Sequence, residues 1–257
     1  MGAKPIIQVR DLQAKYGERL ILDRIRFDVY EGEILAILGE SGCGKSTLMK
    51  NMIGLLEPSR GEVIIDGDRV TGADEETYHR ILKKMGVLFQ NNALFSSMTL
   101  AENVALPMEE YTQLPEQAVN ALVRFKLSMM KLDGYEHFFP TELSGGMKKR
   151  AALARAMALN PRILFFDEPS AGLDPISSAE LDFLIDYLNR TFGTTMVLVT
   201  HDLPSILKVA HRIIMVDKQT RGIIVEGDPH YLKAHSKIPF VRSFFNRLTE
   251  ADAQRYR

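Results

Sequence analysis

The sequence has little of what secreted and membrane-spanning proteins need. Its 257 residues include one cysteine, Cys43, and no tryptophan. A lone cysteine excludes an internal disulfide, and no Cys-x-x-Cys or His-x-x-x-His spacing suggests structural zinc. The longest apolar runs, such as ILAIL at 34–38, are far shorter than the roughly 18 residues that cross a bilayer, and the opening MGAKPI has no apolar signal segment. We therefore expect a chain of the reducing cytosol that neither spans a membrane nor anchors itself to one.

A strong charge of either sign is also missing. Lysine and arginine number 32 and aspartate and glutamate 33, which gives a net charge of −1. No global basic field is present to attract nucleic acid or an acidic membrane. The basic clusters Lys83-Lys84 and Lys148-Lys149-Arg150 are typical of solvated helix faces, and no Lys/Arg-rich groove is evident. We expect no nucleic-acid partner.

Apolar patterning predicts strands in the first third of the chain. PIIQVR and RIRFDV read as strands, and Ile25, Phe27 and Val29 lie on one face of the second. EILAILG at 33–39 is continuously apolar, which is typical of a central strand covered on both faces. GEVIIDGDRV at 61–70 predicts a short hairpin.

The middle of the chain has helical periodicity instead. From Asn91 to Asn160 no strand pattern occurs, Thr99 and Glu102 form a capping box, and one helix face is predicted. The residues of that face are Ala118, Leu122, Phe125, Met129 and Leu132. Strands and helices alternate after Arg162, which predicts a doubly wound α/β core with a helical insertion. A last helix would place Phe240, Phe244 and Leu248 on one face, to cover its own core or to reach another subunit.

A phosphate-binding loop is the strongest motif. GESGCGKST at 39–47 follows the buried strand and precedes an apolar helix, which is the context that G-x-x-x-x-G-K-[ST] requires. Its backbone amides would surround the β-phosphate, Lys45 would neutralise the β and γ oxygens, and Ser46 would offer a hydroxyl to Mg²⁺. The positions assigned to the nucleotide are Gly39, Glu40, Ser41, Gly42, Cys43, Gly44, Lys45, Ser46 and Thr47. An accessible Cys43 thiol beside Lys45 would favour the thiolate, whereas the alternative is a small residue that fills a gap.

Two carboxylates end a second buried strand. In ILFFDE at 163–168, Asp167 is predicted at the metal, and Glu168 at the γ-phosphate as the general base for water. A further anion site is predicted in LSGGM at 143–147, where a serine and two glycines begin a long helix. The alternative for Ser144 is a plain helix cap.

The order of these motifs resembles the ATP-binding subunits of ABC transporters from about Ile6 to Gly227. The resemblance implies a RecA-like P-loop NTPase fold with an antiparallel β subdomain, ATP and Mg²⁺ as ligands, and a homodimer with two ATP molecules between the subunits. Further roles are implied at single positions: Tyr16 stacks on adenine, Gln90 contacts metal and water, Asp174 acts across the dimer interface, and His201 contacts the γ-phosphate. Ser144, Gly145 and Gly146 would bind the nucleotide of the other subunit.

The segment 90–119 is similar to the MlaF-like subfamily, whose members move phospholipids with MCE-domain proteins. That similarity implies peripheral binding at the cytoplasmic face of the inner membrane through an MlaE-like permease, with an MlaD-like MCE-domain protein in the complex. Nothing in the sequence shows whether an MlaB-like STAS-domain protein takes part. A docking groove for the permease would include Leu94, Phe95, Met98, Leu100 and Met108.

Three alternatives remain open: the ATPase of an importer for another solute, a soluble ABC-type ATPase acting on nucleic acid, and a non-hydrolysing scaffold. Glu168 and His201 disfavour the last. We expect a single ABC ATP-binding domain over 1–257. Its core and β subdomain would cover about 5–90 and 161–230, its helical subdomain about 91–160 and its helical tail 231–257.

Overall fold

A computed structural model describes residues 4–246, which contain two β-sheets and nine α-helices. The strands are β1 (Pro5–Tyr16), β2 (Arg19–Tyr30), β3 (Ile34–Leu38), β4 (Arg60–Ile65), β5 (Asp68–Arg69), β6 (Met85–Leu88), β7 (Ile163–Asp167), β8 (Thr195–Val199), β9 (Arg212–Val216) and β10 (Ile223–Gly227). The helices are α1 (Lys45–Met52), α2 (Glu75–Leu82), α3 (Leu100–Tyr111), α4 (Glu116–Met129), α5 (Gly145–Ala156), α6 (Pro175–Phe192), α7 (Leu203–Val209), α8 (Pro229–His235) and α9 (Pro239–Asn246). A 3₁₀ turn occupies Pro140–Glu142.

The smaller sheet is antiparallel, with the strand order β2-β1-β4-β5. Its first two strands are longer than predicted, because β1 and β2 pair from Pro5↔Tyr30 to Tyr16↔Arg19 around a tight turn at Gly17. Because of this pairing, the polar residues near the turn are also part of the strands. A register shift near Asp11 interrupts the alternation of apolar and polar residues on which the prediction depends. Ile25, Phe27 and Val29 are buried on one face as predicted.

The larger sheet has the order β10-β9-β3-β8-β7-β6, and only β10 runs antiparallel to its neighbour. Every residue of β3, β7 and β8 is buried. Continuous apolar strands are expected where helices or a second sheet cover both faces. Because β3, β6, β7 and β8 are parallel, the loops after their carboxyl ends meet at one edge of the sheet. The α/β doubly wound fold is confirmed.

Helices α3, α4 and α5 are inserted between β6 and β7, and the Thr99–Glu102 capping box at the start of α3 is present. The predicted face is confirmed in part: Leu132 is buried and Leu122 and Met129 pack half-buried on the core, but the buried side of α4 is centred one position away. Phe125 is 55% exposed, whereas Val119, Val123 and Leu127 are buried. The two stripes differ by a single residue on the helical wheel, and packing against the neighbouring helices decides between them.

The last helices pack on the larger sheet's core. Val241 and Phe245 of α9 are buried, and Phe240 and Phe244 are half-buried against the same cluster. Leu248 and the rest of the predicted tail lie outside the described residues. Within 4–246, no helix is both long and apolar enough to cross a membrane.

Candidate active site

The loop from Gly39 to Gly44 joins β3 to α1 at the carboxyl edge of the larger sheet. Two of its glycines are required by the conformation. Gly39 has φ 149°, and a Cβ there would lie 2.3 Å from the carbonyl oxygen of Val216. Gly44 has φ 109°, and its Cβ would meet Leu22 at 2.8 Å. Left-handed φ values of this kind and the lack of room explain why the loop uses glycine, which also allows a phosphate to approach the backbone.

Lys45 begins α1 and lies across the loop. Its Nζ donates hydrogen bonds to the carbonyl oxygens of Gly39 and Glu40, both at 2.9 Å, and the side chain is buried. Both acceptors are neutral, and among the described residues no salt bridge includes Lys45. The ammonium is therefore available to a ligand with phosphate oxygens.

Ser46 and Asp167 bring two oxygens together between α1 and β7. The Ser46 hydroxyl donates to Asp167 Oδ1 at 3.1 Å. Burial raises the pKa of Asp167, and the Ser46 hydrogen bond opposes that rise. Oxygen ligands and few protein side chains are what Mg²⁺ prefers, since it keeps water and substrate phosphates in its shell. Gln90 lines the same cavity. The three side chains fit Mg²⁺ by their chemistry.

Glu168 and His201 form a second pair, carried by the ends of β7 and β8. His201 Nδ1 lies 2.9 Å from Glu168 Oε2 and 3.0 Å from Oε1. Glu168 has φ 46°, a left-handed value that a glutamate rarely adopts, and its N–H donates to Val199 O at 2.8 Å. Strained backbone of this kind is concentrated at functional sites, where the surrounding structure maintains it. The side chain is thereby held at the cavity.

Lys45, Ser46, Gln90, Glu168 and His201 line one cavity of about 810 Å³, and Asp167 lies behind its lining, hydrogen-bonded to Ser46. Tyr16 and Arg19, on the two sides of the β1–β2 turn, also line the cavity. Phe244 of α9 also lines the cavity. Sequence reasoning placed Phe244 on a helix face and missed that the helix reaches this site. The only sequence signal for α9 is the spacing of its apolar residues, and that spacing does not specify where the helix packs.

The turn Ser144–Gly146 and Asp174 lie apart from this cavity, whose lining includes none of them. Ser144 caps α5 and accepts from the Met147 N–H at 3.3 Å. Gly146 packs on α6, since a Cβ there would be 3.0 Å from Ser177 Oγ. Asp174 caps α6 and accepts from the N–H groups of Ile176 and Ser177 at 3.0 Å. Helix caps at α5 and α6 therefore form a second polar surface.

The prediction that the basic cluster Lys148-Lys149-Arg150 forms a solvated helix face is wrong for Lys149. Lys149 is only 3% exposed, and its Nζ donates to the carbonyl oxygen of Gln90 at 2.6 Å. Arg150 pairs with Glu180 at 3.0 Å. In the other cluster, Lys84 pairs with Asp66 and Asp68. Consecutive cations on a helix point in different directions, so adjacent positions enter different environments.

Cys43 does not meet the condition for a reactive thiolate. The side chain is 1% exposed, and burial raises the pKa of its thiol more than the nearby Lys45 lowers it. A buried, protonated thiol is a poor nucleophile. We therefore expect alkylation of the native protein at pH 7 to be at least about tenfold slower than that of the urea-unfolded chain, as measured by intact mass. Equal rates would show that the loop opens readily and that the thiol is accessible.

Comparison with known proteins places these features in one family. The model of the family described as ABC transporter matches residues 22–171. The intermembrane phospholipid transport system ATP-binding protein MlaF of Escherichia coli K12 is 40% identical over 246 residues, which are 95% of this chain and 90% of that protein. The probable ribonucleotide transport ATP-binding protein mkl of Mycobacterium leprae is 39% identical over 93% of this chain and 68% of that protein.

Two solved structures are similar in fold. The dimeric structure of MJ0796, a bacterial ABC transporter cassette, has a TM-score of 0.79 and 31% identity, and the match covers 86% of this chain and 98% of that one. The cbiO1 protein of Clostridium perfringens, part of the transporter complex cbiONQ, has a TM-score of 0.81 and 27% identity over 98% of this chain and 99% of its own. A further MJ0796 structure is a dimer in a post-hydrolysis state with ADP and phosphate.

Proposed function

The chain belongs to the ABC transporter family and is an ATP-binding subunit, and from that premise we propose that it hydrolyses ATP to power phospholipid movement through a membrane permease. The observation that carries the ATPase part is the convergence on one cavity of Lys45, Ser46 and the Glu168–His201 pair, with Asp167 hydrogen-bonded to Ser46. A cation, a site for a hard metal ion and a carboxylate beside an imidazole are the groups that phosphoryl transfer to water requires.

Each group has a proposed role. Lys45 exchanges its two backbone acceptors for the β- and γ-phosphate oxygens of ATP. Ser46, Asp167 and Gln90 would hold Mg²⁺, which when bound neutralises charge on the phosphate oxygens. Glu168 accepts the proton of the attacking water, and His201, in contact with that carboxylate, orients it and reaches the γ-phosphate. Tyr16, half exposed at the cavity wall, stacks on the adenine.

The Ser144–Gly146 turn serves a second copy of this chain. Because the turn does not line its own chain's nucleotide cavity, it is available for the ATP of a partner subunit. A two-fold axis would bring each turn to the other subunit's phosphate loop and bury two ATP molecules in one interface. The dimeric form of the MJ0796 cassette supports this arrangement. Asp174, beside the turn at the start of α6, is proposed to lie in the same interface.

Phospholipid is the proposed cargo, and the support comes from the 90–119 segment together with the printed function of MlaF. The name of the mycobacterial relative, ribonucleotide transport, makes another solute the competing proposal. The chain can be purified together with its membrane assembly, and the molecule that stays bound to the permease can be identified. That identity decides between the two proposals. Bound phospholipid supports the first, and a nucleotide or nucleoside cargo in the permease would overturn it. An MCE-domain partner and a location at the cytoplasmic face of the inner membrane belong to the same proposal.

The permease is proposed to dock on the segment before α3. Phe95 is 50% exposed, and Leu94 and Met98 are half-buried. Leu100 and Met108, which were also assigned to the groove, are fully buried and belong to the core of the helical insertion. Large apolar groups exposed in a short segment suit an inserted helix of a partner.

Phe95→Glu is expected to lower retention of the permease during co-purification by about tenfold or more, because an apolar anchor in the centre of an interface is replaced by a charge that must be desolvated. The measurement is the molar ratio of the two proteins after affinity purification. Phe125→Glu is the matched control, since Phe125 is exposed to a similar degree on α4, away from the segment. Equal loss of the permease in both variants, or in neither, would contradict the assignment of the docking surface.

A further inference from the structure

Two cationic side chains of helix α5 donate hydrogen bonds to the backbone of the segment that joins β6 to α3. Lys149 Nζ donates to Gln90 O at 2.6 Å. Arg155 Nη1 donates to Ala93 O at 2.7 Å and its Nη2 to Asn92 O at 3.2 Å. Charge-assisted hydrogen bonds are stronger than neutral ones. Three carbonyls of one connection are therefore held by side chains of the helix that begins with the Ser144–Gly146 turn.

Lys149 is buried at an energetic cost that packing alone does not explain. Burial lowers the pKa of Lys149, and the negative charges of Asp167 and Glu168 act in the opposite direction. A methionine of similar length would fill the same space without the cost of desolvating an ammonium. The Lys149 ammonium contacts the Gln90 carbonyl and is close enough to Asp167 and Glu168 to feel their charge, which indicates a role at the nucleotide site.

The rest of the segment is held just as tightly. Asn92 and Ala93 have φ values of 61° and 53°, left-handed conformations that surrounding contacts must maintain. Arg155 also lies over the ring of Phe95, 5.9 Å from its centroid. The fully buried Asn103 of α3 donates to the carbonyl oxygens of Phe95, Met98 and Thr99, and its Oδ1 accepts from the Phe95 N–H. From Gln90 to Thr99 the backbone is thus fixed to α5 and α3.

We propose that Lys149 and Arg155 are positioning residues that make Gln90 move with α5. The inference rests on the proposed function, in which the start of α5 binds the partner's nucleotide. A helix of three turns is stiff, so a shift of the Ser144–Gly146 turn displaces Lys149 one turn further on. The displacement carries Gln90 towards or away from the nucleotide of its own subunit. The occupancy of one nucleotide site thereby sets the catalytic geometry of the other, and the bonds to Asn92 and Ala93 transmit the same shift to Phe95.

Lys149→Met in the full chain, assembled with its membrane partner, tests the proposal. We expect kcat to fall by about 10- to 100-fold while KM for ATP changes by less than about threefold, since a displacement of about 1 Å at a catalytic group costs about 10²-fold in rate. Lys149→Arg keeps a charged donor and is expected to recover most of the rate. Lys148→Met removes a neighbouring cation from the same helix and serves as the control.

A double-mutant cycle separates positioning from general stability. If Lys149 acts through Gln90, adding Lys149→Met to Gln90→Ala lowers the rate by less than about threefold beyond Gln90→Ala alone. A double variant whose fold loss in kcat equals the product of the two single losses would overturn the proposal, and so would an unchanged kcat in Lys149→Met. Either result leaves the proposed ATPase function standing. A wild-type assembly without ATPase activity would overturn both. Should Lys149→Met fail to fold, Arg155→Gln combined with Gln90→Ala makes the same comparison. We expect faster amide hydrogen exchange in residues 90–95 of the Lys149→Met variant. Unchanged exchange would count against the proposal that Lys149 holds this segment.

Discussion

Glu168→Gln is expected to lower the rate of ATP hydrolysis by about 10² to 10⁴, which corresponds to about 3 to 5 kcal/mol of barrier. Glutamine has nearly the same shape as glutamate and can keep a hydrogen bond to His201, but it cannot accept the proton of the attacking water. Phosphate release under saturating Mg-ATP measures the loss. ATP affinity should change little, because Lys45 and the loop from Gly39 to Gly44 are untouched.

The same variant also tests the proposed dimer. With hydrolysis blocked, ATP stays between the subunits, so Glu168→Gln should accumulate as an ATP-dependent dimer in size-exclusion chromatography with light scattering. Glu76→Gln, an exposed carboxylate on α2, is the matched control and should behave like the wild type. A Glu168→Gln protein that binds ATP but stays monomeric, in its natural assembly as well as alone, would refute the shared nucleotide site. One that hydrolyses ATP at the wild-type rate would refute the role of Glu168.

The parts of the site that could be predicted are those encoded in contiguous stretches of sequence. The phosphate loop directly follows the buried strand β3, and Glu168 directly follows the buried strand β7, whose last residue is Asp167. In a parallel sheet, that local pattern is enough to place both at one edge. The fold class followed from the same alternation of strands and helices.

The contacts that could not be predicted depend on pairs far apart in the chain. Lys149 was assigned to a solvated face because two further cations adjoin it, yet its partner is the carbonyl of Gln90. Asn103 carries no sequence signal beyond its place in a predicted helix, yet its side chain donates to three carbonyl groups of the segment before α3. Neither secondary-structure propensity nor apolar periodicity predicts such contacts, because every residue carries the same backbone carbonyl acceptor. Phe125 shows the same limit in packing: its helix was predicted, and its exposed side was not.

Lys45→Ala is expected to fail at nucleotide binding rather than at turnover. Loss of one charge-assisted contact to phosphate typically costs about 1.5 to 3 kcal/mol, so the Kd for ATP should rise by about 10- to 100-fold. Equilibrium titration with a fluorescent ATP analogue, and with ATP as competitor, measures the change. The loss should be larger for ATP than for AMP, since the ammonium is proposed to contact the β- and γ-phosphates, which AMP lacks.

Lys45 also holds the carbonyls of Gly39 and Glu40, so Lys45→Ala can weaken binding by loosening the loop instead of by removing charge. The phosphate dependence separates the two effects. A loosened loop, whose amides are expected to contact the α-phosphate as well as the β-phosphate, would weaken the binding of AMP and ATP together, whereas a missing cation would weaken ATP binding selectively. Lys50→Ala, at the exposed end of the same helix, controls for the loss of a lysine from α1. ATP binding by Lys45→Ala within about twofold of the wild type would remove the phosphate loop from the proposed site, because a buried cation in contact with phosphate cannot be deleted at so small a cost.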